Sequence, residues 1–205
     1  MATLLLALLV SAVLVSSDGL VAGDAVLHTW PLSHRPPTAE SIARAVTDSG
    51  TFVWPYLITF LAGALTGATW RTRLIRGAAG LAVLLVGQAL RAVAMILVAR
   101  PRPPRSDWAT HASGFSLPSG HTTTSALTAG VVCWALARSL HHTLARCLRV
   151  LAVAWAICVA LTRVYLGVHW MSDIIAGWLF AAACLAFVIP ALAPLEQRTA
   201  APARP

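Results

Sequence analysis

The chain has 205 residues, of which 58% are hydrophobic and only 11% charged, and its mean hydropathy is positive. Soluble proteins carry about a quarter charged residues, so the composition excludes an ordinary soluble domain and points to an integral membrane protein with several spans. The net charge of +8 comes from arginine alone, since no lysine occurs. The arginines lie in short clusters between apolar runs, a pattern of topology signals and anion contacts rather than of a nucleic-acid surface.

Residues 2–17 are apolar but short for a span of roughly 20 residues, and no basic residue precedes them. They are read as a first transmembrane helix in preference to a signal peptide. Residues 18–51 hold Asp18, Asp24, Glu40 and Asp48 together with Pro31, Pro36 and Pro37. This stretch predicts a polar outer loop, a candidate lid on the membrane surface. Within it a modest helix is expected over 38–47, with Thr38 as N-cap and Ile42 and Val46 on one face. Residues 52–70 form a second span closed by Arg71, Arg73 and Arg76, and residues 77–99 a third, interrupted by Gln88 and Arg91. Pro101, Pro103 and Pro104 forbid helix continuation, which makes 100–117 a loop. A fourth helix starts near Ser119 and ends near Arg138, a basic connection covers 141–149, and residues 148–166 and 172–192 supply the last two spans. The tail over 194–205 reads as disordered. The expected architecture is a single all-α domain over 1–205, an integral membrane bundle of about six transmembrane helices. Cys133, Cys147, Cys158 and Cys184 match no metal spacing and read as small buried hydrophobes.

With the N-terminus inside, Arg71, Arg73, Arg76, Arg138, Arg146 and Arg149 fall on the cytoplasmic side together with Arg198 and Arg204 of the tail, and Arg35, Arg44, Arg100, Arg102, Arg105 and Arg163 on the outer side. The raw counts nearly balance. If the last four outer arginines are kept for an anion, the remaining bias favours this orientation.

Three polar clusters interrupt the apolar pattern on loops of one parity, hence at one membrane face. Residues 162–173 place Arg163, His169 and Asp173 between two apolar runs, and ionisable groups at membrane depth are costly enough to suggest function. On a helix, His169 and Asp173 at i, i+4 would share a face. The carboxylate would then hold the imidazole in one tautomer and leave its other nitrogen free as base, nucleophile or ligand. Pro118, Ser119, Gly120 and His121 read as a helix entrance with free amide N–H groups and a positive dipole end, which is an anion cradle. Arg100 and Arg102, with Arg163, would add contacts to phosphate oxygens. With two histidines, one can attack phosphorus while the other protonates the leaving oxygen.

Read singly, these residues have simpler explanations. His169 and Asp173 could be a buried structural pair, Ser119 only an N-cap, and Arg163 a topology charge at a helix end. His141 and His142 read as surface residues, Asp107 and His111 as solvated loop residues, and Trp54, Trp108, Trp170 and Trp178 as membrane-interface anchors.

In combination, the clusters resemble the signature of the type 2 phosphatidic acid phosphatase family, also called the lipid phosphate phosphatase or PAP2 superfamily. That signature is Lys-x6-Arg-Pro, then Pro-Ser-Gly-His, then Ser-Arg-x5-His-x3-Asp. Here the second part is intact at 118–121, and the third runs from Thr162-Arg163 through His169 to Asp173, with threonine in the serine place. The resemblance implies that His169 is the nucleophile that forms a phosphohistidine, with Asp173 orienting it and His121 the general acid. Arg102, Ser119, Gly120 and Arg163 would bind the substrate phosphate. It implies no metal or cofactor, a lipid phosphate substrate, and a site on the extracytoplasmic face.

The first part departs from the pattern. Aligning Arg102-Pro103 with Arg-Pro puts Met95 where lysine is expected, and aligning Arg100-Pro101 puts Val93 there. Arg91, one turn before Met95, could compensate, but helix side chains lean toward the N-terminus and would carry it away from the site. Arg100 and Arg105 are the other candidates. Met95 is the one sequence feature that supports an alternative class, a catalytically weak lipid-phosphate binder or transporter. A phosphotransferase to an acceptor other than water would use the same residues as the hydrolase.

Overall fold

The computed structural model describes residues 1–139 and 143–200, with side chains as far as residue 190. Eight α-helices follow one another among the described residues: α1 (Ala2–Val15), α2 (Asp24–Ser33), α3 (Pro37–Ser49), α4 (Trp54–Leu65), α5 (Trp70–Val98), α6 (Gly120–Ser139), α7 (Thr143–Tyr165) and α8 (Met171–Ala200). Of these, α5, α7 and α8 are long and apolar enough to cross a membrane, whereas α1 and α4 are shorter apolar helices.

Helix α6 is the centre of the bundle, with α4, α5, α7 and α8 packed around it. Its polar residues Thr122, Thr123, Thr124, Ser125 and Thr128 are buried. Most of their hydroxyls are satisfied within the helix or across it. Thr123 Oγ1 donates to the Ser119 carbonyl at 2.9 Å, and Thr59 Oγ1 of α4 lies 3.3 Å from Thr128 Oγ1. Hydroxyls placed this way let a polar helix sit in a protein interior. Apolar side chains also cover the outside of the bundle, with Leu85, Ile96, Leu97, Leu151 and Phe187 all exposed, as a lipid-facing surface requires.

Helices α4 and α5 form a hairpin turned at 66–69. Thr69 caps α5 through a reciprocal pair with Thr72, so α5 begins at Trp70 and includes Arg71, Arg73 and Arg76. These arginines, expected to close the preceding span, form the first turns of the following helix. The hairpin closes on small residues: a Cβ on Gly63 would lie 2.3 Å from the Arg76 carbonyl oxygen.

Residues 18–51 are not a loop. α2 was not expected, because Pro31 sits inside it, and α3 starts at Pro37 after Pro36, with no side-chain cap from Thr38. Proline in the first turn costs no hydrogen bond, which explains the earlier start. Both helices lie against the α7–α8 end of the bundle. The expected basic connection contains His141 and His142, which lie outside the described residues. α8 continues past residue 192 to Ala200, so the helix takes in part of the expected tail, and residues 201–205 lie outside the described residues. The cysteines are all free, with Cys147 and Cys158 exposed rather than buried.

Replacing Gly63 with valine should force α4 and α5 apart. Overpacking of this kind costs about 1–3 kcal/mol, so we expect a lower melting midpoint in detergent, measurable by tryptophan fluorescence.

Candidate active site

The three polar clusters meet at one end of the bundle, and the backbone brings them there first. The Ser119 N–H donates to the Asp173 carbonyl at 3.2 Å, and the Ala109 N–H to the Leu166 carbonyl at 2.9 Å. Gly167 makes the turn between α7 and α8 at φ +75°, where a Cβ would strike the Asp107 carbonyl oxygen at 2.3 Å. Only glycine combines that conformation with that approach.

His169 follows this turn and is not helical, so its expected helical register with Asp173 does not exist. The contact forms nonetheless: His169 Nδ1 is 3.1 Å from Asp173 Oδ2, and both side chains are buried. Asp173 is in the first turn of α8 and its Oδ2 also accepts the Trp170 N–H at 2.9 Å. On the other side of the ring, Arg102 Nη1 donates to His169 Nε2 at 2.9 Å. A guanidinium can only donate, so Nε2 is the nitrogen with the lone pair, and Nδ1 carries the hydrogen to Asp173. Burial pushes the His169 imidazole down to about 4, against the opposing pull of Asp173. The ring is therefore neutral at pH 7, with its lone pair directed at Arg102.

Around this pair several buried polar atoms lack partners. Ser119 Oγ and Arg163 Nε have none, so the Ser119 side chain is not a helix cap. Arg163 is held from α7 by a 3.0 Å bond from Nη1 to Thr47 Oγ1 of α3. Unsatisfied buried donors are costly unless a ligand completes them. His121 opens onto a cleft of about 360 Å³ shared with Gly120, Arg91, Gln88 and Tyr56. One wall of it is a hydrogen-bonded chain, from Tyr56 Oη to Gln88 Oε1 at 3.1 Å and from Gln88 Nε2 to Thr124 Oγ1 at 3.0 Å.

All seven residues expected from the sequence thus fall in one neighbourhood, while others expected nearby do something different. Arg100 is not a phosphate contact: it is buried, its Nη1 donating to Asp173 Oδ1 and its Nη2 to Asp24 Oδ2 at 2.7 Å. Asp24, which sequence reasoning missed, also accepts from Ser172 Oγ at 2.6 Å and from the Ser172 N–H at 2.9 Å. Desolvation works against the Asp24 carboxylate, but the bonds from Ser172, Val21 and Arg100 prevail and keep its pKa below the ordinary value. Asp107 is no solvated residue either, pairing with buried His28 of α2 at 2.9 Å. Trp170, read as an interface anchor, donates from Nε1 to the Pro101 carbonyl at 3.1 Å and packs against His28. An acid in a charge-poor chain was the one available signal for Asp24, but nothing in the sequence names a partner so distant along the chain.

The fold and this cluster define a membrane-embedded helical protein with two histidines and several arginines gathered at one end of its bundle. The sequence pattern of the PAP2 superfamily matches residues 3–195, and the chain belongs to that superfamily. It is 27% identical over 185 residues to phosphatidylglycerophosphatase B of Bacillus subtilis (strain 168), covering 86% of each chain. Two solved structures share the fold. One, described as the first transmembrane PAP2 type phosphatidylglycerolphosphate phosphatase from Bacillus subtilis, superposes with a TM-score of 0.79 at 24% identity over 95% of each chain. The other, Aquifex aeolicus LpxE, has a TM-score of 0.61 at 19% identity, covering 83% of this chain and 96% of that one.

Arg100→Met should leave Asp24 and Asp173 buried without a counter-ion. Breaking one partner out of a buried ion pair costs about 3–5 kcal/mol, so a large drop in melting midpoint is expected, with a smaller one for Asp24→Asn.

Proposed function

We propose that this protein is a membrane phosphatase that hydrolyses a lipid phosphomonoester or diphosphate through a phosphohistidine intermediate. The observation that carries this reading is the neutral His169, whose Nδ1 is held by Asp173 and whose Nε2 lone pair faces Arg102. In the first step Nε2 attacks phosphorus, and the bond to the leaving oxygen breaks as His121 supplies its proton. Burial and the surrounding cations push His121 down to about 2, so it is the negative charge of the bound phosphate that lets it carry that proton. In the second, neutral His121 takes a proton from water, which attacks the phosphohistidine, releases inorganic phosphate and restores His169. Arg102, Arg163, Ser119 Oγ and the Gly120 amide stabilise charge on the equatorial oxygens, the main source of catalysis in phosphoryl transfer.

The cleft beside His121 is where the leaving group lies. Its polar wall of Tyr56, Gln88 and Thr124 suits a hydroxylated, glycerol-type headgroup better than a bare hydrocarbon. The likeness to phosphatidylglycerophosphatase B supports the same class of lipid, phosphatidylglycerophosphate first. We place the site on the extracytoplasmic face. The site-end arginines serve as binding or structural groups: Arg35 and Arg44 engage Glu40, and Arg100 engages Asp24 and Asp173. This leaves the arginines at the start of α5 and beside the α6–α7 connection to set topology by the positive-inside rule.

The test is phosphate release by the detergent-purified protein from phosphatidylglycerophosphate, phosphatidic acid and a polyprenyl diphosphate. His169→Ala should reduce release to background and abolish the acid-labile phosphate label trapped on the wild-type protein. His121→Ala should cost about 10²- to 10⁴-fold. Activity on none of the three, or activity unchanged by His169→Ala, would sink the reading.

A further inference from the structure

We propose that Arg91 is the phosphate-binding cation that the first motif lacks, reaching the substrate from one helical turn before the expected lysine position. This rests on the phosphatase reading above and names a catalytic residue for it. Met95, at the lysine position, is turned toward the loop: a Cβ on Gly114 would lie 3.2 Å from its Cε and 3.5 Å from its Sδ. The Gly114 carbonyl in turn accepts from Arg102 Nε at 3.0 Å. Met95 therefore packs beneath the loop that carries Arg102, and no charge issues from it.

Arg91 supplies a charge in that neighbourhood. Its Nη1 donates to Met95 Sδ at 3.2 Å, so the side chain runs toward the C-terminal end of α5, where the site is. This is opposite to the lean expected from its helical position, and the length of an arginine side chain permits it. The guanidinium lies over Gly120, where a Cβ would be 3.3 Å from Cζ and 3.4 Å from each Nη. It also faces the cleft together with His121 and Thr124. The absence of a side chain at Gly120 gives it room beside the helix entrance.

Among the described residues Arg91 has no carboxylate within salt-bridge distance, and its one hydrogen bond is to a thioether, a weak acceptor. A half-buried guanidinium left in that state is costly, and the cost is recovered when a ligand brings the negative charge. The two other candidates are committed elsewhere. Arg100 spends Nε on the Gly19 carbonyl and its Nη groups on Ser172, Asp173 and Asp24. Arg105 is exposed on the loop with its guanidinium over the Trp108 ring. Arg91's planar fork can engage two phosphate oxygens at once, opposite the oxygens met by Arg102 and Arg163.

The experiment measures lipid-phosphate hydrolysis and, separately, inorganic phosphate binding by calorimetry, for the wild type, Arg91→Gln, Arg91→Lys and Arg91→Gln combined with Met95→Lys. Loss of one transition-state charge contact costs about 10²- to 10³-fold in rate, so Arg91→Gln should fall by that order with weakened phosphate binding and a melting midpoint, without phosphate, at or above that of the wild type. Arg91→Lys should keep most of the rate, and Met95→Lys should restore it in the Arg91→Gln background. Activity of Arg91→Gln close to wild type would overturn the proposal. So would equal losses in Arg91→Gln and Arg91→Lys with no recovery from Met95→Lys, because the effect would then not follow the charge. If the wild type hydrolyses none of the lipids, the phosphatase reading fails. Phosphate binding in the wild type and in Arg91→Gln would still decide whether Arg91 holds the anion.

Discussion

The arrangement of this site depends on one buried cation. Arg100 stands between Asp173 and Asp24, and its three nitrogen donors tie together the start of α8, the N-terminus of α2 and the loop after α5. Asp173 can orient His169 because its second oxygen is occupied by Arg100 and its position is fixed by the Trp170 amide. Take the guanidinium away and two carboxylates face each other in an apolar bundle, where charges of one sign cannot persist. The network accounts for α2 lying against the bundle, since Asp24 also satisfies an open amide at the start of α8. The polar segment between α1 and α4 is therefore part of the site's support, more a buttress than a cover.

The same economy governs the rest of the interior. A helix as rich in threonine and serine as α6 can be central because its hydroxyls bond to carbonyls a turn away or to neighbouring helices, and because glycines let those neighbours close in. Among the buried polar atoms without a partner, Ser119 Oγ and Arg163 Nε lie in the site, where a ligand would complete them.

His169 and Asp173 show how a sequence argument can reach the right contact by the wrong geometry. The spacing suggested a helical face, yet the histidine lies in the turn before the helix and meets the aspartate because Gly167 bends the chain and Asp173 caps the helix start. Arg91 shows the reverse. A sound rule about side-chain lean pointed it away from the site, and a long flexible side chain with a sulfur to bond and an open glycine to lie over overrode the rule. Proline likewise misled within residues 18–51: Pro31 lies inside α2, and Pro37 stands in the first turn of α3, where it costs no hydrogen bond.

The sequence by itself determined the class of protein, the helical bundle and the seven residues that converge at its end. Hydrophobic runs and short motifs with fixed spacing are local properties, and they survive without knowledge of the fold. Only the tertiary structure decided which arginine does what. Arg100, Arg102, Arg163 and Arg91 are chemically identical in the sequence. They part into structural counter-ion, histidine neighbour, buried partner of Thr47 and cleft-facing cation through the carboxylates, carbonyls, hydroxyls or open space that each meets across tens of residues of chain.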